Sequence, residues 1–181
     1  GEGVVVTEPT VVAIDLNTYT VIAVGKKAKQ MIGKTPDNIV ARRPLREGVI
    51  ADSRITEALL RHFFDKALGK ARFFKPDVVM SVPAGITSVE ERAVHKAANA
   101  VGSRTVTLLP EPLLAALGAN LPIHTSSGNM IVNMGGGTTE VGVLSLDGVV
   151  EYESLRVAGD ALNEYIISYM KKKKGIMIGE Q

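Results

Sequence analysis

Short apolar runs broken by turn residues open this chain. Residues 3–7 and 11–16 read as strands separated by Glu8-Pro9, residues 17–19 as a turn and residues 20–24 as a third strand. Residues 26–32 make a short helix ended by Gly33, and Pro36, Pro44 and Gly48 then punctuate an irregular basic stretch that carries Arg42, Arg43 and Arg46. From a cap at Asp52 or Ser53 a helix runs to about Leu68, because Ile55, Leu59, Phe63 and Ala67 recur on one helical face. Residues 77–82 are nearly all apolar, the pattern of a buried parallel strand. Thr87 and Glu90 have capping-box spacing and open a helix to about Val101. Residues 105–109 form another strand, and Pro112 suits the first turn of a short helix ending near Gly118.

Residues 122–128 are polar and loop-like, and a lobe boundary is expected there. Beyond it lie strands over 129–134, 139–146 and 149–156, with Asp147-Gly148 as a two-residue hairpin turn. Asp160 is expected to cap a last helix with Leu162, Tyr165, Ile166 and Tyr169 on one face. Strands alternating with helices predict an α/β fold with a mixed sheet.

Composition narrows the function classes. At 181 residues there is enough chain for one domain or two small lobes with a real core. A net charge of +2 is too small to argue for nucleic acid as a partner. With no cysteine there is no disulfide framework and no thiolate zinc site. His62, His95 and His124 lie far apart without acids at ligand spacing, and no apolar stretch approaches the length of a membrane span.

The candidate chemistry sits at residues 131–141. An apolar run enters Gly135, Gly136 and Gly137, passes Thr138, Thr139 and Glu140, and leaves as an alternating strand. Glycines let successive backbone N–H groups approach an anion where a Cβ would clash, and threonine hydroxyls add donors. Three glycines also make an ordinary tight turn. Glu111 follows a strand directly and precedes Pro112, where a carboxylate could orient or deprotonate a water attacking a phosphoryl group, or simply complement a helix dipole. Phe73 and Phe74 lie between Lys70, Arg72 and Lys75; such a pair suits an anionic membrane surface, or folds back onto the core. Lys171 to Lys174 finish an amphipathic helix, where cations are favourable. Ala13-Ile14-Asp15-Leu16-Asn17-Thr18 looks like a strand-to-phosphate turn but has Asn17 where that turn has glycine, and reads as a plain hairpin.

In order and spacing, these segments resemble the MreB family of bacterial actin-like cell-shape proteins along essentially the whole chain. The likeness is carried by Thr7-Glu8-Pro9-Thr10-Val11-Val12-Ala13-Ile14-Asp15, by Met31-Ile32-Gly33-Lys34-Thr35-Pro36 and by Arg43-Pro44-Leu45-Arg46-Glu47-Gly48-Val49-Ile50-Ala51-Asp52. It continues through Glu111-Pro112, Gly128-Asn129-Met130 and the glycine loop, then Arg156-Val157-Ala158-Gly159-Asp160 and Ile178-Gly179-Glu180.

The resemblance implies an actin-like, ribonuclease H-like lobe with a mixed sheet and flanking helices, plus the start of a second lobe. On that mapping residues 1–11 and 47–125 form the first lobe's core subdomain, lacking its first two strands. Residues 12–46 form a small outer subdomain, and 126–181 begin the second lobe. ATP with Mg²⁺ would bind between lobes, and the protein would assemble with itself into filaments at the inner face of the cell membrane. It would be cytoplasmic and membrane-peripheral, with the cell-elongation and wall-synthesis machinery as partners. Gly135, Gly136, Gly137, Thr138 and Thr139 match the second phosphate loop. Glu111 matches the water-activating glutamate, Thr138 the threonine that assists it, and Phe73 and Phe74 the membrane-insertion loop. No residue is implied as a direct metal ligand; Asn133 and Glu140 would face the water shell of Mg²⁺.

The chain departs from the family pattern at Asn133, where an Asp is usual, which removes a charge the metal would favour. The family's first phosphate loop would precede Gly1, and its adenosine-binding residues would follow Gln181, so the chain reads as a piece cut at both ends. The expected function is that of an ATP-binding cytoskeletal protein, with slow Mg²⁺-dependent hydrolysis as in intact relatives. The alternatives are a superfamily enzyme or chaperone ATPase, or a non-hydrolysing scaffold.

Overall fold

The computed structural model describes residues 3–46, 49–50, 52–69 and 74–179, and not the side chains of residues 46 and 49. Its described residues divide into two compact units, one from those within 3–78 and 92–106 and the other from those within 79–91 and 107–179.

The first unit is built on β1 (Val12–Asp15), which pairs antiparallel with β2 (Val21–Val24) on one side and β3 (Ile39–Arg42) on the other. Alternation along β1 sends its side chains to opposite faces, and both faces are covered. Val12 and Ile14 pack with Ile55 and Leu59 of helix α2 (Ser53–Leu68). Val11 and Ala13 pack with Ala28 of helix α1 (Lys26–Gln30). Asp52 caps α2 by accepting the Ile55 N–H at 3.1 Å, as its spacing predicts. Ala67 is exposed, so the apolar face of α2 fades in its last turn. Short strands β4 (Leu45–Arg46) and β5 (Val49–Ile50) pair antiparallel.

Two expectations for this unit fail. Residues 3–7 join no ladder among the described residues; Val4 is 86% exposed, and strand propensity without a hydrogen-bonding partner makes no strand. The stretch expected to be irregular holds β3, because Ile39-Val40-Ala41 finds the open edge of β1 despite the flanking prolines.

Strands β6 (Asp77–Val82) and β7 (Thr105–Pro110) pair with each other and are joined by helix α3 (Ser88–Ala100). Thr87 and Glu90 form the expected reciprocal box: the Thr87 N–H and hydroxyl both donate to Glu90 Oε2, at 2.8 and 2.7 Å. The Glu90 N–H returns to Thr87 Oγ1 at 3.3 Å. β6 alternates between exposed and half-buried positions and is not buried throughout, as its apolar run suggests; Val79 is 61% exposed.

The second unit centres on an antiparallel sheet ordered β10 (Gly148–Leu155), β9 (Thr139–Ser145), β8 (Asn129–Met134). Helix α4 (Glu111–Gly118) covers one face: Ala116 packs with Ile123 and Leu144, and Leu113, Ile131 and Val149 close round them. On the opposite face of β8, Met130, Val132 and Met134 are exposed. The β9–β10 turn is shifted by one residue from expectation. Ser145 pairs with Gly148, so Leu146 and Asp147 make the corner, both with positive φ (49° and 63°). The N–H groups of these two residues donate to Thr125 and Ile123 carbonyls at 3.1 and 3.0 Å, which sets the corner from outside the hairpin. Helix α5 (Gly159–Tyr169) continues as a π-helical turn, Met170–Lys174. Its cap is Ala158 without a side-chain bond, and Asp160 lies in the first turn and does not cap it.

Candidate functional site

The site follows from one sheet face and one helix end. In the β8–β9 register, Asn133 lies opposite Glu140 and Ile131 opposite Gly142. Period-two alternation puts Glu140, Gly142 and Leu144 on the face that α4 covers. Leu144 belongs to the core beneath Ala116. Gly142 gives room for Pro112, the second residue of α4: a Cβ at 142 would lie 2.6 Å from the Pro112 Cβ. Glu140, fully buried, is the next residue along this row. Glu111 opens α4, and so comes down beside it.

There the Asn133 amide donates to Glu111 Oε2 at 3.0 Å. Glu140 Oε1 accepts the Ala84 N–H at 2.9 Å, while its Oε2 is buried with no hydrogen-bond partner. Burial of Glu111, and then the Glu140 charge, raise the Glu111 pKa above the usual carboxylate range, against the opposing Asn133 hydrogen bond. A raised, half-buried carboxyl beside a glycine loop is the kind of perturbed group found where acid–base chemistry is done.

The loop itself closes through Gly135 N–H to Thr138 O at 2.9 Å. The first N–H groups of α5 reach it from the side: Gly159 donates to Gly135 O at 3.1 Å and Asp160 to Gly136 O at 2.8 Å. A trans peptide points its C=O and N–H in opposite directions. Since the Gly135 and Gly136 carbonyls face α5, the N–H groups of Gly136 and Gly137 are turned away from it together. Two successive donors turned the same way suit an anion. The Asp160 carboxylate flanks the loop, 3.5 Å from where a Gly136 Cβ would stand.

The two threonines differ. Thr139 donates its hydroxyl to Val157 O at 2.7 Å, and its main chain pairs with Met134 on one side and Leu155 on the other. Thr138 is buried as a residue, and among the described residues its hydroxyl makes no such bond. This donor set fits a polyphosphate: backbone N–H groups for the anion, and acids at Glu140 and Asp160 that a hydrated cation would balance.

Glu111, Asn133, Gly135, Gly136, Gly137, Thr138, Thr139 and Glu140 all belong to the second unit. Sequence reasoning misses the Ala84 N–H that holds Glu140, for which a loop residue gives no local signal, and the side-on tie from α5. Phe74 belongs to the first unit and is 89% exposed; Phe73 lies outside the described residues. Among the described residues no group of three or more His, Cys, Asp or Glu could hold a metal ion directly, and no helix is long and apolar enough to cross a membrane.

Comparison with known proteins gives a concordant picture. The chain matches the family described as MreB/Mbl protein over residues 1–181. It is 49% identical over 181 residues to the cell shape-determining protein Mbl of Bacillus cereus, covering 100% of this chain and 54% of that protein. It is 47% identical over 186 residues to the cell shape-determining protein MreB of Escherichia coli K12, covering 99% and 53%. The crystal structure of MreB5 of Spiroplasma citri bound to ADP superposes with a TM-score of 0.91 at 36% identity, over 99% of this chain and 54% of that one. The α/β fold is thus actin-like, and the chain spans about half the length of the relatives it matches.

Proposed function

The chain belongs to the MreB/Mbl protein family, and from that premise we propose that it is part of an ATP-binding actin-like cytoskeletal protein. The observation that carries the nucleotide reading is the grouping of Glu111, Asn133 and Glu140 beside the glycine loop, whose aligned N–H groups suit phosphate oxygens. The ADP bound to Spiroplasma citri MreB5 supports the same ligand class.

On this reading Gly136 and Gly137 hold phosphate oxygens through their N–H groups. Glu111 accepts a proton from the attacking water, helped by the raised basicity that burial and Glu140 confer. Thr138 offers its hydroxyl to place that water, and Thr139 anchors the loop to Val157. Mg²⁺, when bound, offsets phosphate charge, and Asn133 and Glu140 would contact its water shell.

The relatives' names as cell shape-determining proteins support a role in cell shape and elongation-phase wall synthesis. The protein would form filaments with itself at the cytoplasmic face of the cell membrane. The exposed Phe74, next to exposed Lys75, suits insertion into an anionic surface together with Phe73. Residues 12–46, with β1 to β3, would be the small outer subdomain of the first lobe.

The test is sedimentation of the full-length protein with ATP, with ADP and without nucleotide, while phosphate release is followed. ATP-dependent pelleting with phosphate release is expected. Soluble turnover without filaments would indicate a superfamily enzyme or chaperone ATPase. Filaments without release would indicate a binding-only scaffold.

A further inference from the structure

We infer that Asn133 is a positioning residue that holds the Glu111 carboxylate by one oxygen, so that this chain sets its water-activating group through its own side-chain amide. The inference rests on the reading of Glu111 as the base in phosphoryl transfer. Asn133 and Glu111 are 22 residues apart in sequence and meet because the β8–β9 register places residue 133 opposite Glu140, under the first residue of α4. The side chain at 133 therefore faces two carboxyl groups, Glu111 and Glu140. An ionised carboxylate only accepts hydrogen bonds, so the group that meets Glu111 Oε2 at 3.0 Å is the amide NH₂.

An Asp at 133 would set two carboxylates at hydrogen-bond distance with a third beside them. Like charges that close cannot both ionise without a bridging proton or cation. Asn133 removes that need and supplies the donor itself. With Oε2 taken, Oε1 is the oxygen left to receive the proton of a water, and one oxygen of the carboxylate is held before any ligand arrives. Glu140 is held separately by the Ala84 N–H, so it does not compete for the Asn133 amide through Oε1.

The test uses the full-length protein with Asn133→Ala and Glu111→Ala, and has two readouts. The first is the Asn133 side-chain amide signal in metal-free, selectively ¹⁵N-labelled protein, assigned by its loss in Asn133→Ala. Glu111→Ala should move this signal and speed exchange of its protons with solvent. The second is turnover: Asn133→Ala should lower kcat about tenfold, as expected for a misplaced reacting group, and leave KM for ATP unchanged. An amide signal indifferent to Glu111→Ala overturns the inference, as does an unchanged kcat or a loss confined to KM. If the parent protein releases no phosphate, the hydrolase reading falls, and the amide signal still decides whether Asn133 holds Glu111.

Discussion

Pro112 sits on Gly142 so closely that a Cβ at 142 would fall 2.6 Å from the Pro112 Cβ and 3.3 Å from its Cγ. Both neighbours are ring atoms of a proline near the start of α4, so neither can swing aside. Gly142→Ala must lift the end of the helix that carries Glu111. Overpacking of this kind costs about 1–3 kcal/mol, and here it also lengthens the Asn133–Glu111 contact. A lower denaturant midpoint in the full-length protein, together with a shifted Asn133 side-chain amide signal, is expected. Unchanged stability would mean that α4 is free to slide over β9.

Leu144, two residues further along the same face, is fully buried against Ala116 and Ile123. Leu144→Ala leaves a cavity in place of overpacking, at a cost of about 2–5 kcal/mol. The Asn133 amide signal should stay where it is, because nothing is pushed toward Glu111. A loss of stability below about 1 kcal/mol would show that this core collapses easily round the missing atoms.

What the sequence alone makes legible is what is decided locally. Asp52 three residues before Ile55, and the Thr87/Glu90 pair, satisfy helix N-termini by short-range hydrogen bonds, and their spacing is enough to read them. The strand at Ile39-Val40-Ala41 is not legible in the same way, since its ladder partner β1 lies more than twenty residues upstream and prolines flank the run. The glycine loop and Glu111 are visible as candidates from residue type. Their meeting with Asn133 and Glu140 depends on sheet register and on Pro112 fitting over Gly142, neither of which has a local signature. The hairpin corner misleads because Asp147-Gly148 is a favoured turn pair, yet the carbonyls of Thr125 and Ile123 pull the corner back onto Leu146.

That corner makes its own prediction. Leu146 holds a φ of 49° with 68% of its surface exposed, so it bears a left-handed conformation without much burial in return. Asn tolerates that conformation better than a branched apolar residue. Leu146→Asn should raise stability by about 1 kcal/mol. A raised thermal midpoint with an unchanged circular dichroism spectrum would bear this out, and a lowered one would mean that the Leu146 side chain has a partner.

At the base of β6, Arg104 Nε donates to Asp77 Oδ1 at 2.9 Å, and a second guanidinium nitrogen pairs with Oδ2. Arg104, and then the Thr105 hydroxyl, hold the Asp77 carboxyl down to about 2. A depressed carboxyl adds stability above its ordinary value and loses it as pH falls through the folded one. The window is therefore from about 4 down to about 2. Asp77→Asn should be less stable than the parent at pH 6, with the gap closing by pH 2. Both side chains are largely exposed, so added salt should narrow the gap at pH 6. A gap that persists unchanged at pH 2 would assign the effect to packing.

Glu111 has the opposite sign. Burial and the Glu140 charge raise its pKa, so the folded protein keeps the proton to a higher pH than the unfolded chain does. Below the ordinary glutamate value both states are protonated and the residue is neutral in its effect. As pH rises through the interval, the unfolded chain ionises first and stability falls; above the folded value the penalty is complete. Glu111→Gln cannot ionise, and its amide oxygen can still accept from Asn133. At pH 7 it should therefore be more stable than the parent while releasing phosphate far more slowly, with the stability gain vanishing near pH 4. A stabilised but inactive variant is the signature of a carboxylate kept in an unfavourable place for its chemistry. An equal gain at both pH values would mean that Glu111 is not strained by its charge, and its raised basicity would have no part in the reaction.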